Sequence, residues 1–173
     1  MTARLLTTTP EDHRIAWLAA LAICIHILEA ALPSPVPGIK PGLANIISLL
    51  VMVLYGWQTA AWVVLLRVTV GSLLLGTFLS PTFILSFSGA LASLTMLGTL
   101  WLVARRTIGL LGYAVLAALA HTSAQFFVAW WLFIPHAALL NLLPVLLTGA
   151  LIFGILSGII AIQLVKHLAT QNE

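Results

Sequence analysis

Six apolar runs, at about residues 14–32, 42–55, 57–77, 82–104, 108–131 and 141–166, take up most of this 173-residue chain. A helix needs about 20 apolar residues to cross the hydrocarbon core of a bilayer. Backbone N–H and C=O groups find no water there, so each spanning segment must satisfy them within a helix or a closed barrel. Composition leaves little else open. Hydrophobic residues make up 62% of the chain, charged residues 6%, and the mean hydropathy is +1.17. Soluble domains carry about 25% charged residues. The expectation is an all-α, polytopic membrane protein with six transmembrane helices and the lipid bilayer as its main partner. Residues 1–13 are expected to form a polar N-terminal arm, 14–168 the transmembrane domain, and 169–173 a short tail.

The breaks between runs carry their own chemistry. The first run ends at Pro33-Ser34-Pro35-Val36-Pro37-Gly38, and prolines so placed cannot continue a helix. The second run is too short for an ordinary span, so the segment before it is expected to lie partly inside the membrane. With six spans and the N-terminus inside, Arg4, Arg14, Arg105, Arg106 and Lys166 fall on one side and Lys40 on the other. That is the positive-inside asymmetry. It predicts a cytoplasmic-membrane protein with both termini cytoplasmic and the Pro-rich and 132–140 loops facing outward. The N-terminus reads as a retained arm rather than a cleavable signal peptide, because Glu11, Asp12 and His13 precede the first apolar run.

Several function classes are disfavoured. The net charge of +3 is scattered, with no basic stripe, so nucleic acid is not an expected partner. Cys24 is the one cysteine and reads as a small apolar residue. His and acidic spacings supply no ligand cluster, so no metal or cofactor is expected. No Asp follows Asp12, and magnesium-assisted chemistry on phosphates needs carboxylates. A P-loop is absent, so ATP hydrolysis by that motif is excluded. No catalytic residue is assigned.

Arg67 stands out because it falls near the middle of the third run. A charge at bilayer depth costs about 2.5–3.5 kcal/mol even on insertion scales, and such residues are functional candidates by default. Two readings stand side by side: an anion-binding group facing a polar cavity, or a buried ion pair with Glu29 that orders the bundle. Lys40 either snorkels to the outer interface or joins a cavity lined by Pro37–Asn45. Gly and Pro there expose backbone that lipid cannot satisfy, and the segment enters a helix N-terminus that attracts anions. His121 and Gln125 are four residues apart and share a helix face. They suit an interhelical hydrogen bond or ligand contact. Asn141 is expected to begin the sixth helix. Small-residue pairs such as Gly154 with Gly158 and Ser86 with Ala90 suit close helix packing.

The run Glu29…Pro33-x-Pro35-x-Pro37-Gly38-x-Lys40-x-Gly42-Leu43-Ala44-Asn45 resembles the bacterial family labelled heptaprenyl diphosphate synthase component I, also called the Gx transporter family. The resemblance continues through Arg67, Gly76, Ser86-x-x-Gly89-Ala90-x-x-Ser93-x-x-Met96 and Ala120-His121-x-x-x-Gln125, and covers about residues 20–160. Pro41 stands where the family pattern has Leu. The label implies a subunit of a polyprenyl diphosphate synthase. The family is also similar to the S components of energy-coupling factor transporters, which capture a vitamin-like ligand and work with a coupling membrane subunit and paired ATPases. That second likeness is an analogy of fold.

The leading expectation is an S-component-like bundle that binds a small polar or anionic molecule through Glu29, Lys40, Asn45, Arg67, His121 and Gln125. The alternative is a non-catalytic membrane partner of a soluble prenyl synthase. A carrier role in extracytosolic electron transfer is a third reading, although nothing in the residues ligates a redox centre.

Overall fold

The computed structural model describes residues 8–31 and 43–170. Among these residues the fold is all-α: α1 (Pro10–Ala31), α2 (Leu43–Tyr55), α3 (Trp57–Leu74), α4 (Pro81–Val103), α5 (Leu110–Leu132) and α6 (Leu143–Thr170). A 3₁₀ segment, Ala137–Leu142, precedes α6 and holds Asn141. Asn141 therefore lies ahead of the sixth helix rather than at its start. Pro144, which lacks the N–H that a first helical turn leaves unused, instead sits in the first turn of α6.

Among the described residues five stretches are long and apolar enough to cross a membrane, and α2 is not one of them. Its 13 residues span about 20 Å at 1.5 Å per residue, short of the ~30 Å hydrocarbon core. Its place in the bundle explains how so apolar a helix can be so short. It packs against α1, α3, α5 and α6, and Ile46, Ile47, Leu49, Val51 and Met52 are buried. The long helices do the opposite: Trp17, Leu102, Val103 and Trp131 are each at least 75% exposed on the outside of the bundle. In water such surface would drive aggregation. In a bilayer it faces lipid, and the chain is a multi-pass membrane protein.

Local chemistry sets the ends of the elements. α1 begins at Pro10, ahead of the apolar run, because Thr9 and Asp12 cap it reciprocally. Thr9 donates from its backbone N–H to Asp12 Oδ2 at 2.8 Å, and Asp12 N–H donates to Thr9 Oγ1 at 3.2 Å. This is a capping box with proline at the first helical position. Thr9→Ala is expected to cost about 1 kcal/mol, read as a lowered midpoint in denaturant unfolding of the micelle-embedded chain. The α2–α3 junction is a single residue, Gly56, at φ 88°. The left-handed backbone there favours glycine. Ser80 caps α4, its Oγ accepting from Phe83 N–H at 3.4 Å with Pro81 in the first turn.

Helix pairs close on small residues. Gly154 of α6 faces Val115 and Ala118 of α5, and Gly158 faces Leu111 and Ala114. The two helices are thus antiparallel and in close contact, as small-residue seams allow in lipid. Trp57 lies against Gly98 and donates from Nε1 to the Leu94 carbonyl at 3.3 Å, which pins the start of α3 to α4. Tyr113 Oη donates to the Leu100 carbonyl at 3.0 Å. Arg14 stacks on Tyr55 at 4.7 Å and Arg105 on Trp101 at 4.9 Å. Together with the antiparallel α5–α6 pair, these contacts gather Arg14, Arg105 and Lys166 at one end of the bundle.

Candidate functional site

The other half of the bundle opens into a cavity of about 280 Å³. Its upper wall comes from the end of α1 (His26, Glu29), the start of α2 (Asn45, Ser48) and the start of α4 (Thr82). Deeper in, Ser93, Leu97, Ala114 and Ser157 line it from α4, α5 and α6. The cavity falls just below the usual range of about 300–1,000 Å³ for ligand pockets. It has the expected character of one: a mostly apolar wall bearing a few convergent polar groups.

Arg67 is the anchor. It comes from the part of α3 most deeply enclosed and is 4% exposed. Both terminal nitrogens donate to Asn45 Oδ1, each at 3.3 Å. A neutral amide oxygen therefore covers the end edge of the guanidinium. Nε is buried and has no hydrogen-bond partner. Glu29, 5% exposed, lies near enough for its charge to act on Arg67. The two readings of Arg67 thus meet in one place, since the cavity holds the arginine and the glutamate together. Among the described lining residues Arg67 is the one permanent cation.

His121 and Gln125 reach the cavity across a gap that only a glycine leaves. A Cβ at Gly89 would fall 2.8 Å from the His121 ring and 2.8 Å from Gln125 Cγ. The α4 backbone at Gly89 therefore forms the seat on which both side chains rest. His121 Nδ1 is buried and has no hydrogen-bond partner. Arg67 and His26 line the same cavity as this ring. A ring nitrogen and a guanidinium N–H, each buried without a partner in one cavity, are the kind of polar surplus that native structures rarely leave unused.

The structure thus brings five of the residues picked from the sequence, Glu29, Asn45, Arg67, His121 and Gln125, to one cavity. The sixth, Lys40, lies outside the described residues, as do the Pro-rich loop and most of the Pro37–Asn45 segment. His26, Ser48, Ser93 and Ser157 also line the cavity, and sequence reasoning did not select them. His26 had a usable signal, because it stands three residues before Glu29 and so shares its helix face. The serines had none, since serine in a membrane helix commonly returns its hydroxyl to its own backbone. Among the described residues, no group of three His, Cys, Asp or Glu is placed to hold a metal.

Three comparisons bear on this arrangement. A family model described as heptaprenyl diphosphate synthase component I matches residues 18–164. A solved structure, described as the S component of a bacterial ECF transporter, has the same fold with a TM-score of 0.72. It is 18% identical in sequence, and the match covers 94% of this chain and 97% of that one. At that identity the likeness establishes the fold. A search of curated proteins finds no match.

Proposed function

This chain belongs to the heptaprenyl diphosphate synthase component I family, and from that premise we propose that it is a substrate-capturing membrane protein of the S-component kind. It takes a small polar or anionic molecule into the cavity between α1–α6 and passes it across the bacterial cytoplasmic membrane. Glu29, Lys40, Asn45, Arg67, His121 and Gln125 form its binding site. Residues 14–168 make the six-helix transmembrane domain. The cationic end of the bundle faces the cytoplasm, so the arm 1–13 and tail 169–173 are cytoplasmic and the cavity opens outward. Energy comes from a separate coupling subunit with paired ATPases, a reading that fits the absence of a P-loop from this sequence.

The observation that carries this reading is Arg67, a cation inside the bilayer region that lines a cavity and whose Nε is buried without a partner. A purely structural ion pair has no need of an adjoining space or of a donor left unmade. The test is co-expression with candidate coupling and ATPase subunits, followed by uptake into proteoliposomes. ATP-dependent accumulation that needs this chain supports the reading. Uptake that is unchanged without the chain overturns it.

The family description favours a second reading, in which the chain is a non-catalytic membrane partner of a soluble polyprenyl diphosphate synthase. Synthase activity that co-purifies with the chain, and is lost from membranes on its deletion, would select this reading over transport. The cavity volume weighs against it, because a long prenyl chain would have to remain in the lipid.

A further inference from the structure

The arrangement around Arg67 defines more than a positive charge. A guanidinium has five N–H donors in a fixed planar fork. It can grip a two-oxygen anion at its end edge, between the two terminal nitrogens, or at its side edge, between Nε and one terminal nitrogen. Here the end edge is taken, because both terminal nitrogens converge on the single Oδ1 of Asn45. The side edge is unengaged at Nε, which is enclosed and has no hydrogen-bond partner. Asn45 thus fixes the plane of the guanidinium without neutralising it, and it directs any ligand to the remaining edge.

We infer that the side edge of Arg67 is the docking point for a carboxylate group of the ligand, with His121 Nδ1 as a second polar contact. This rests on reading the cavity as a ligand site. The side edge offers two parallel N–H directions, which a planar carboxylate matches with two oxygens. Charge selects a monoanion over a phosphate. Among the described lining residues there is one permanent cation, and Glu29 shares the cavity with it. With Glu29 beside Arg67, each further negative charge on a ligand adds cost in a low-dielectric space, so a dianionic phosphate or a diphosphate is disfavoured more strongly than a monoanion. Of the buried side-chain nitrogens left without a partner, Arg67 Nε, His121 Nδ1 and Trp130 Nε1, the first two belong to residues that line the cavity. Gly89 leaves the room that the His121 ring occupies, because a Cβ there would fall 2.8 Å from it. The site is therefore a clamp with three parts: Asn45 sets the angle of the fork, the fork grips the carboxylate, and His121 contacts the group beside it.

The experiment uses the full chain in nanodiscs, labelled with ¹⁵N-arginine. The probe is acetate, with acetamide as its neutral counterpart and inorganic phosphate as the competing anion. The Arg67 Nε–H resonance is identified by its loss in Arg67→Lys. Should that variant not fold, it is identified by its displacement in Asn45→Ser. Acetate is expected to shift this resonance saturably. Acetamide is expected to leave it in place, and phosphate to need at least about tenfold higher concentration. Asn45→Ser should weaken the acetate response at least about threefold, because the fork is no longer held. No saturable shift with acetate overturns the inference. So does an equal shift with acetamide, or phosphate acting at the lower concentration. The two proposals fail separately. A saturable acetate response without ATP-dependent uptake sinks transport and leaves the clamp. Uptake of a ligand while acetate leaves Arg67 unmoved sinks the clamp and leaves transport.

Discussion

Replacing Arg67 with alanine in a chain that still inserts and folds is expected to weaken capture of the transported molecule at least about 30-fold. Truncating one partner of a buried, hydrogen-bonded charge contact costs about 2–5 kcal/mol, and 1.4 kcal/mol is tenfold in affinity. The effect should be read as binding to the purified chain in nanodiscs, with folding checked by gel filtration and circular dichroism. Arg67→Lys should recover only part of the loss. Lysine keeps the charge and removes the planar fork. If Arg67→Ala binds as well as the unaltered chain, the arginine is a structural group and the binding site lies elsewhere. The variant also leaves Asn45 and Glu29 without the cation they adjoin. Some loss of stability is therefore expected as well, and binding must be compared at equal folded fraction.

Gly154→Val should have the largest effect on stability. The Cβ that any larger residue adds at 154 falls 3.0 Å from Val115 Cα and 3.1 Å from Ala118 Cβ. The first of these is backbone, which cannot rotate away. The α5–α6 pair must separate, and overpacking of a well-packed interface typically costs about 1–3 kcal/mol. In lipid the loss is felt directly, because close packing itself drives helix association. Unfolding in mixed detergent micelles should show a clear drop in midpoint, with Gly154→Ala intermediate. Ala118→Gly should partly restore Gly154→Ala, since it removes one of the two colliding groups. An unchanged midpoint in Gly154→Val would mean that the seam is looser than described. Gly154 also lines the cavity, so the same variant should weaken binding.

Much of the site was legible in advance because membranes punish polarity. Arg67 announced itself by being a cation where lipid makes cations costly, and His121 with Gln125 by sharing one face four residues apart. The same rule could not expose Ser93 or Ser157, whose hydroxyls cost little in a helix. Nor could it predict that Gly89 is the seat for two side chains of another helix, because a glycine in α4 reads as packing until its neighbours are known. The start of α1 was readable but was placed late. Thr9, Pro10 and Asp12 spell a capping box, and apolar content alone begins the helix at Arg14. α2 shows the limit more clearly. Its residues are as apolar as those of any span, yet it is 13 residues long and buried by protein on several sides.

The amino-acid sequence by itself determined that this chain lives in a bilayer as helices, which end of the bundle is cationic, and which polar residues needed a reason to be there. Those properties follow from transfer free energies, which act residue by residue. The tertiary structure alone decided that Asn45 would hold the end edge of Arg67 and leave Nε unengaged. It also decided that His121 would rest on Gly89 and that α2 would be enclosed. Each of these depends on how helices distant in sequence cross, and close packing sets that geometry only when all of them are assembled.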